Sequence, residues 1–170
     1  MAIRKIIYLP DPRLRQVTKK ITDFNDELQL LIEDMFDTMY DANGVGLAAP
    51  QIGLSLCLSV VDVIGDKKQQ LVLVNPEIIA SSGDIEYMEG CLSVPGAYDN
   101  VRRAEKVTIK AQDRFGKPFE MEGEGLLGEC FQHEIDHLNG KLFVDLLSPI
   151  KRALARKKVD KFKRHQERKP

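Results

Sequence analysis

Apolar residues recur at helical spacing in two parts of the chain. Between Asn25 and Tyr40 they stand three or four positions apart, with Asn25 placed to cap the start and Asn43-Gly44 to end the helix. The same period returns from Leu126 to Leu138. Farther on, Ser148-Pro149 is typical of an N-cap and a first helical residue. The pattern predicts three helices, over residues 25–40, 126–138 and from 149 onward.

Strand-like runs occupy the middle of the chain. They cover Leu56–Ile64, Leu71–Asn75, Lys106–Gln112 and Pro118–Glu122. The last two runs are joined by a turn at residues 114–117, which predicts a hairpin. Residues 44–51 are rich in small side chains and poorly suited to regular structure. Strands clustered between helices predict an α+β fold.

Length and composition are those of an ordinary globular chain. The 170 residues suffice for a single domain with a hydrophobic core, and no apolar stretch is long enough to cross a bilayer. The apolar run before Pro10 is too short for a signal peptide, so export is not indicated. Three cysteines form no disulfide framework and are typical of a reducing cytosol. We therefore expect a cytoplasmic protein that does not act at membranes.

Charge is distributed unevenly along the chain. From Lys151 to Pro170 there are ten Lys or Arg residues against Asp160 and Glu167, a net charge of +8, whereas the other 150 residues hold 15 basic and 24 acidic side chains, a net −9. A basic segment on an acidic body is suited to contact with a polyanion, but a solvated surface helix has the same composition. The charge run alone leaves both interpretations open.

The strongest local signal for chemistry is His-Glu-x-x-His at residues 133–137. A helix advances by about 100° per residue, so His133 and His137 lie only about 40° apart on its surface and can bind one ion together. Glu134 lies on an adjoining flank, close enough to exchange a proton with a water on that ion. The pattern predicts a metal-dependent hydrolase.

A catalytic ion usually has three protein ligands and one open position, so a third ligand is needed. Cys91 follows Gly90 in an extended segment and would complete a site suited to zinc or ferrous iron. Cys130 lies one turn before His133, where a small side chain lining a pocket is the simpler interpretation. Zinc proteases would instead recruit a downstream carboxylate, Asp160 or Glu167, although the surrounding Lys and Arg residues disfavour a buried cation there.

Three motifs together resemble the signature of the bacterial peptide deformylases. They are Gly44-Val45-Gly46-Leu47-Ala48-Ala49-Pro50-Gln51, Glu89-Gly90-Cys91-Leu92-Ser93 and Gln132-His133-Glu134-Ile135-Asp136-His137. The resemblance covers nearly the whole chain. It implies one catalytic domain over residues 1–170, with residues 149–170 as a basic helical extension. The implied α+β fold has antiparallel sheets packed around a central metal-binding helix, with a C-terminal helix.

The resemblance also implies a reaction, in which the N-formyl group is removed from the formyl-methionine of new polypeptides and formate is released. The implied metal ligands are Cys91, His133 and His137, with Glu134 as the general base and acid for the water that attacks the formyl carbon. The Gln51 side chain and the Leu92 backbone N–H would donate to the formyl oxygen, whose charge grows in the transition state. Ferrous iron is the implied physiological metal, and zinc, nickel or cobalt can substitute.

Substrate contacts are implied in the same way. The residues that match substrate-binding positions are Gly44, Val45, Gly46, Glu89, Gly90, Leu126 and Cys130. Two positions depart from the family pattern: Glu129 stands where close relatives often have an apolar pocket residue, and Tyr98 where some have an arginine near the peptide. In relatives, the basic C-terminal helix is implicated in docking on the ribosome, and we take this as a hypothesis for this chain. We expect no binding to DNA.

Other function classes stay open at this point. A zinc endopeptidase would keep its metal in Cys91→Ser and would cleave unformylated peptides. A non-enzymatic RNA-binding module with a structural metal would have four protein ligands, with Cys130 as a candidate for the fourth, and would tolerate Glu134→Gln. Ser93 and Asp136 could be grouped with a histidine as a catalytic triad, but we interpret both as structural, with Asp136 orienting a neighbouring group.

Overall fold

The computed structural model describes residues 2–168, so Met1, Lys169 and Pro170 lie outside the described part of the chain. Its helices are α1 (Asp26–Asp41), α2 (Gly125–Leu138) and α3 (Pro149–Glu167). Its strands are β1 (Gly46–Ala48), β2 (Leu58–Val61), β3 (Leu71–Ser82), β4 (Ile85–Cys91), β5 (Val94–Arg103), β6 (Lys106–Gln112) and β7 (Pro118–Glu124). The predicted α+β class is confirmed.

Helix α1 forms where the apolar period predicted it. The Asn25 side chain accepts a hydrogen bond from the Leu28 N–H, which satisfies one of the free amides of the first turn. The inward face buries Ile32, Met35 and Met39 completely against β1 and β2. Burying side chains of this size contributes about 1.5–3 kcal/mol each, so this face fixes the helix on the sheet.

The larger sheet has five strands in the order β1-β2-β3-β6-β7, and all its neighbouring strands are antiparallel. The predicted hairpin is confirmed, because β6 and β7 pair from Lys106 with Glu124 to Gln112 with Pro118. Its turn is closed by a hydrogen bond from the Asp113 N–H to the Lys117 carbonyl. Strand β1 lies at one edge of this sheet.

Two regions differ from the prediction. The segment from Gly44, expected to lack regular structure, contains β1, which pairs Gly46 with Val61. The hairpin of β4 and β5 forms a second sheet, and neither of its strands was predicted. Glycines and alternating charges obscure the strand pattern in both, and tertiary pairing overrides the weak local preference.

Helix α2 lies at the centre of the fold, as predicted. It packs against strands β1, β2, β3, β6 and β7, and buries Phe131 and Ile135. Gly128 lets this packing occur, since a Cβ there would lie 2.7 Å from the Gly123 carbonyl oxygen.

Helix α3 begins at Pro149, as predicted, with the Ser148 hydroxyl accepting from the Lys151 N–H. It packs on β5 through Ala155 and Val159, and the last two residues of the predicted 149–170 extension lie outside the described part. No helix between residues 2 and 168 combines the length and hydropathy needed to cross a membrane.

Candidate metal centre

The two histidines of α2 face the same point, as their spacing predicted. Their Nε2 atoms lie 3.2 Å apart, and the rings meet edge to face with their centroids 4.9 Å apart. His137 is completely buried, and burial lowers the pKa of its imidazole well below the usual value. A neutral imidazole is the form that binds a metal ion.

The third donor atom comes from the other sheet. Cys91 ends β4, and its Sγ lies 3.2 Å from the His137 Nε2. One ligand atom each from Cys91, His133 and His137 can be chosen so that all lie within 4.8 Å of one another. The hairpin of β4 and β5 therefore delivers the sulfur to the helix.

The alternative ligands are not brought to this cluster in the described part of the chain. The Cys130 Sγ is buried near the Val45 carbonyl, at 3.9 Å. Asp160 lies on α3, half exposed, with an Oδ1 3.7 Å from the Arg156 Nε. Neither Cys130 nor a carboxylate of α3 belongs to the group of three.

A buried network of charged side chains stands behind His133. The Arg103 guanidinium donates to both oxygens of Glu89, at 2.7 and 2.9 Å, and to Asp136 at 2.6 Å. The His133 Nδ1–H donates to Glu89 Oε1 at 2.9 Å. Burial raises the pKa of Glu89, but the hydrogen bonds from Arg103 and His133 outweigh burial and hold the pKa below its usual value. The lowered pKa keeps Glu89 ionised, so its carboxylate accepts a hydrogen bond from a proton-bearing Nδ1 of His133 and turns the Nε2 of that ring toward His137.

The cluster fits a divalent metal ion by both chemistry and spacing. Ligand atoms about 2.1–2.3 Å from one tetrahedral ion are roughly 3.4 Å apart, close to the 3.2 Å separations found here. A thiol with two imidazoles is a donor set suited to zinc and ferrous iron. The carboxylate behind His133 is the partner that metal-binding histidines usually have.

Glu134 lies next to these ligands and is 3 % exposed. Its Oε1 accepts a hydrogen bond of 3.4 Å from the Ser59 hydroxyl. Burial is the main cause that raises the pKa of Glu134 to about 7. A Cβ at Gly46 would lie 2.7 Å from the Glu134 Oε2, so only glycine permits this approach of β1. Such a carboxyl group can both take and return a proton near neutral pH.

Gln51 is held rigidly beside the sulfur of Cys91. Its Oε1 accepts from the Ala48 N–H at 2.9 Å, which fixes the amide orientation. Its Nε2 lies 3.2 Å from the Ser93 hydroxyl and 3.6 Å from the Cys91 Sγ. Ser93 is thus a support for Gln51, and the structural interpretation of Ser93 and Asp136 agrees with their contacts.

A cavity of about 530 Å3 opens over the cluster. Its wall includes Leu92 and six of the seven residues expected to contact substrate: Gly44, Val45, Gly46, Gly90, Leu126 and Cys130. Glu89, the seventh, is not among the residues that line the cavity. Its carboxylate is buried in the ion pair with Arg103 and bonded to His133, away from the cavity wall. The Glu89 carboxylate therefore contacts His133.

The two departures from the family pattern both line this cavity. Glu129 is half-buried, and burial, helped by the charge of Glu89, raises its pKa to about 7. The side chain therefore does not turn outward into free solvent. Tyr98 is 67 % exposed, with its ring against the backbone of Gly90, where a Cβ would lie 2.4 Å from the ring carbon Cε1.

Sequence reasoning missed Ser59 and Arg103. Ser59 is a polar residue inside an otherwise apolar strand, a signal that a buried hydroxyl has a partner. Arg103 follows Arg102 in the sequence, and nothing local distinguishes the buried one from the exposed one.

Comparisons with known proteins agree with this geometry. A family model described as polypeptide deformylase matches residues 3–153. The peptide deformylase of Pseudomonas aeruginosa is 53% identical over 167 residues, which cover 98% of this chain and 99% of that protein. The peptide deformylase of Azotobacter vinelandii is 54% identical over 162 residues, 95% and 96% of the two chains. A crystal structure of a peptide deformylase from Legionella pneumophila superposes with a TM-score of 0.98 at 72% identity, covering 99% of this chain and 100% of that one.

Proposed function

The chain belongs to the polypeptide deformylase family, enzymes that remove the N-formyl group from nascent polypeptides, and we propose that Cys91, His133, His137 and Glu134 carry out this reaction here. The observation that supports the proposal is the meeting of one sulfur and two imidazole nitrogens beside a buried carboxyl group. We further propose that residues 1–170 work as a single catalytic domain, with residues 149–170 as its basic extension.

Cys91, His133 and His137 would hold one divalent metal ion per chain. When bound, the ion supplies Lewis-acid chemistry and lowers the pKa of a water molecule toward neutrality. We propose ferrous iron as the physiological metal, because thiolate and imidazole ligands accept it, with zinc, nickel or cobalt able to replace it. Arg103 and Glu89 keep the His133 ring oriented, with Nδ1 toward Glu89 and Nε2 toward the ion.

Glu134 would move the proton of the reaction. Ser59 holds its Oε1, which leaves Oε2 beside Gly46 to accept a proton from water and return it to the leaving amine. A pKa near 7 suits both steps, and general acid–base catalysis of this kind contributes about 10²- to 10⁴-fold in rate.

Gln51 and Leu92 would stabilise the negative charge that grows on the formyl oxygen. Ala48 and Ser93 fix the Gln51 amide, so its N–H needs no reorganisation during the reaction. Leu92 follows Cys91 and lines the same cavity, where its backbone N–H is a second candidate donor. Losing one such donor typically costs about 3–4 kcal/mol of transition-state stabilisation.

The substrate would lie in the cavity with its methionine side chain near Val45, Leu126 and Cys130. The backbone at Gly44 and Gly46 leads into β1, the edge strand of the sheet, which can accept an extended peptide by backbone hydrogen bonds. Gly90 lines the facing wall. Glu129 adds a carboxyl group to this otherwise apolar pocket.

The proposal is tested by measuring formate release from formyl-Met-Ala-Ser together with bound metal. Cys91→Ser should lose both metal and activity, whereas Glu134→Gln should retain metal and lose about 10³-fold in kcat/KM. Cys57→Ser is the matched control, since Cys57 lies outside the cluster, and it should behave as wild type. Metal retention in Cys91→Ser with cleavage of unformylated peptides would indicate an endopeptidase. An unaffected Glu134→Gln would indicate a structural metal.

We also propose that the protein acts in the cytoplasm and that α3 docks on the ribosome, since its exposed face is strongly basic. Reversing the charge of Lys157, Lys161 and Arg164, three exposed residues on one helical face, should abolish co-sedimentation with ribosomes at low salt. The matched control reverses three exposed lysines elsewhere, Lys68, Lys110 and Lys117. Equal binding by both triple variants would reject docking through α3.

A further inference from the structure

The cavity over the metal centre extends beyond the residues that the reaction needs. Besides Leu126 and Cys130, its wall includes Ile6 and Tyr8 of the N-terminal segment and Phe162 of α3. We call these three residues the distal wall. Pro95 and Gly96 of β5 line the same cavity. The side chains of the distal wall are apolar or aromatic, although α3 is otherwise highly charged.

The distal wall is attached firmly to the catalytic site on its N-terminal side. The Ile7 N–H donates to the Gln51 carbonyl at 2.8 Å, and the Leu9 N–H donates to the Ser93 carbonyl at 2.9 Å. Tyr8 is therefore held between two backbone hydrogen bonds to residues that adjoin Cys91. Its position relative to the metal ligands is set by the fold.

The same wall is held on its other side by α3. Phe162 meets Tyr8 edge to face, with the ring centroids 5.3 Å apart and the planes at 73°. Phe162 follows the fully buried Val159 by three positions, so both lie on the helix face that packs against the body. The family model matches only up to residue 153, so this part of the wall lies beyond the matched region.

The size of the cavity indicates how much of a substrate it can hold. A volume of about 530 Å3 is in the range of sites for ligands much larger than one amino acid, about 300–1,000 Å3. A formyl-methionine residue fills only part of it, and an extended chain advances by about 3.3 Å per residue. The residues that follow formyl-methionine in the substrate are covalently joined to it, so they would occupy the remaining space of the same cavity.

We propose that the distal wall binds an apolar side chain of the substrate downstream of the formyl-methionine, so that α3 takes part in substrate selection. The inference rests on the proposed metal centre as the point where the formyl group lies. It assigns to Phe162 a function separate from the basic face of the same helix.

The test uses formyl-Met-Ala-Ser-Ala-Ser-Ala and five variants of it with Phe placed singly at positions 2 to 6, and measures kcat/KM from formate release. Wild type should prefer Phe over the parent residue at one or two positions by about three- to tenfold, the size of a single aromatic contact. In Phe162→Ala that preference should fall below about twofold, and Phe162→Leu should keep part of it.

Ile150→Ala is the matched control, because Ile150 lies on the same helix, is 75 % exposed and does not line the cavity. It should keep the full preference. A wild type with no preference at any position, or a preference that survives in Phe162→Ala, would overturn the inference. Failure of wild type to release formate from any peptide would instead reject the proposed function. Phe162→Lys adds an independent check, since it should create a preference for Glu at the same position.

Discussion

Helices α2 and α3 both carry many polar side chains, but they place them in opposite surroundings. In α2, Glu134 and His137 are buried and held close to other polar groups. In α3, the residues buried within its described part are Ala155 and Val159, and the charges lie in solvent. A buried charge requires a partner because desolvation is costly, whereas a solvated one does not. The buried polar groups of α2 are thus held in place by their polar partners, whereas α3 is fixed to the body by a narrow apolar contact.

The largest expected effect comes from breaking the network behind α2. Arg103→Met would leave Glu89 and Asp136 without their shared cation, and loss of one partner from a buried ion pair typically costs about 3–5 kcal/mol. Arg102→Met is the neighbouring control, because Arg102 is 66 % exposed and pairs with exposed Asp84. Urea unfolding of the two variants should differ by several kcal/mol. Equal unfolding free energies for the two variants would mean that the buried ion pairs of Arg103 contribute no more to stability than the exposed pair of Arg102.

A smaller effect is expected from the apolar contact of α3. Val159→Ala removes two methyl groups from a fully buried position and should lower the free energy of unfolding by about 2 kcal/mol. Ile150→Ala, on the exposed side of the same helix, should change it by less than about 0.5 kcal/mol. A negligible change for Val159→Ala, measured by urea denaturation, would show that α3 is not fixed to β5 in solution.

The segment between the two helices should respond to acid. Burial raises the pKa of Asp145, but hydrogen bonds from Arg15 and the Leu142 N–H outweigh it and lower the pKa below its usual value of 3.8. Because the folded pKa is lower than the unfolded one, the stabilisation is complete above about pH 4 and is lost as the pH falls through the folded pKa. In Asp145→Asn, the free energy of unfolding should therefore fall less steeply with decreasing pH than it does in wild type. An Asp145→Asn profile that matches wild type below about pH 4 would contradict this prediction.

The smallest effect is expected for the ion pair within α3. Arg156 and Asp160 are both about half exposed, and their nearest charged atoms are 3.7 Å apart. Exposed pairs four residues apart on a helix contribute about 0.3–0.5 kcal/mol, so Arg156→Ala should lower stability by no more than this. The change should become undetectable in 1 M salt, where the pair is screened. A loss above 1 kcal/mol would mean that α3 makes contacts that the structure does not show.

Predictions from the sequence were most accurate where one physical period dominates a segment. The bounds of α1 and α2 and the hairpin of β6 and β7 follow from spacing, caps and turn residues. The hairpin of β4 and β5 was missed because its strands mix charges with glycines and present no clear alternation. This hairpin carries Cys91. The sequence therefore indicated the candidate ligand by the motif around it, although the strand that holds it was not predicted.

By itself, the sequence determined the fold class, the placement of both histidines on one helix face, and the candidate thiol and carboxyl groups. Only the tertiary structure decided that Glu89 supports His133 instead of facing the cavity, that Arg103 and not Arg102 is buried, and that Phe162 reaches the cavity wall. The reason is physical. Helical spacing is a local property of the chain, whereas burial and charge pairing depend on which distant segments meet, and residues alike in sequence can acquire different environments.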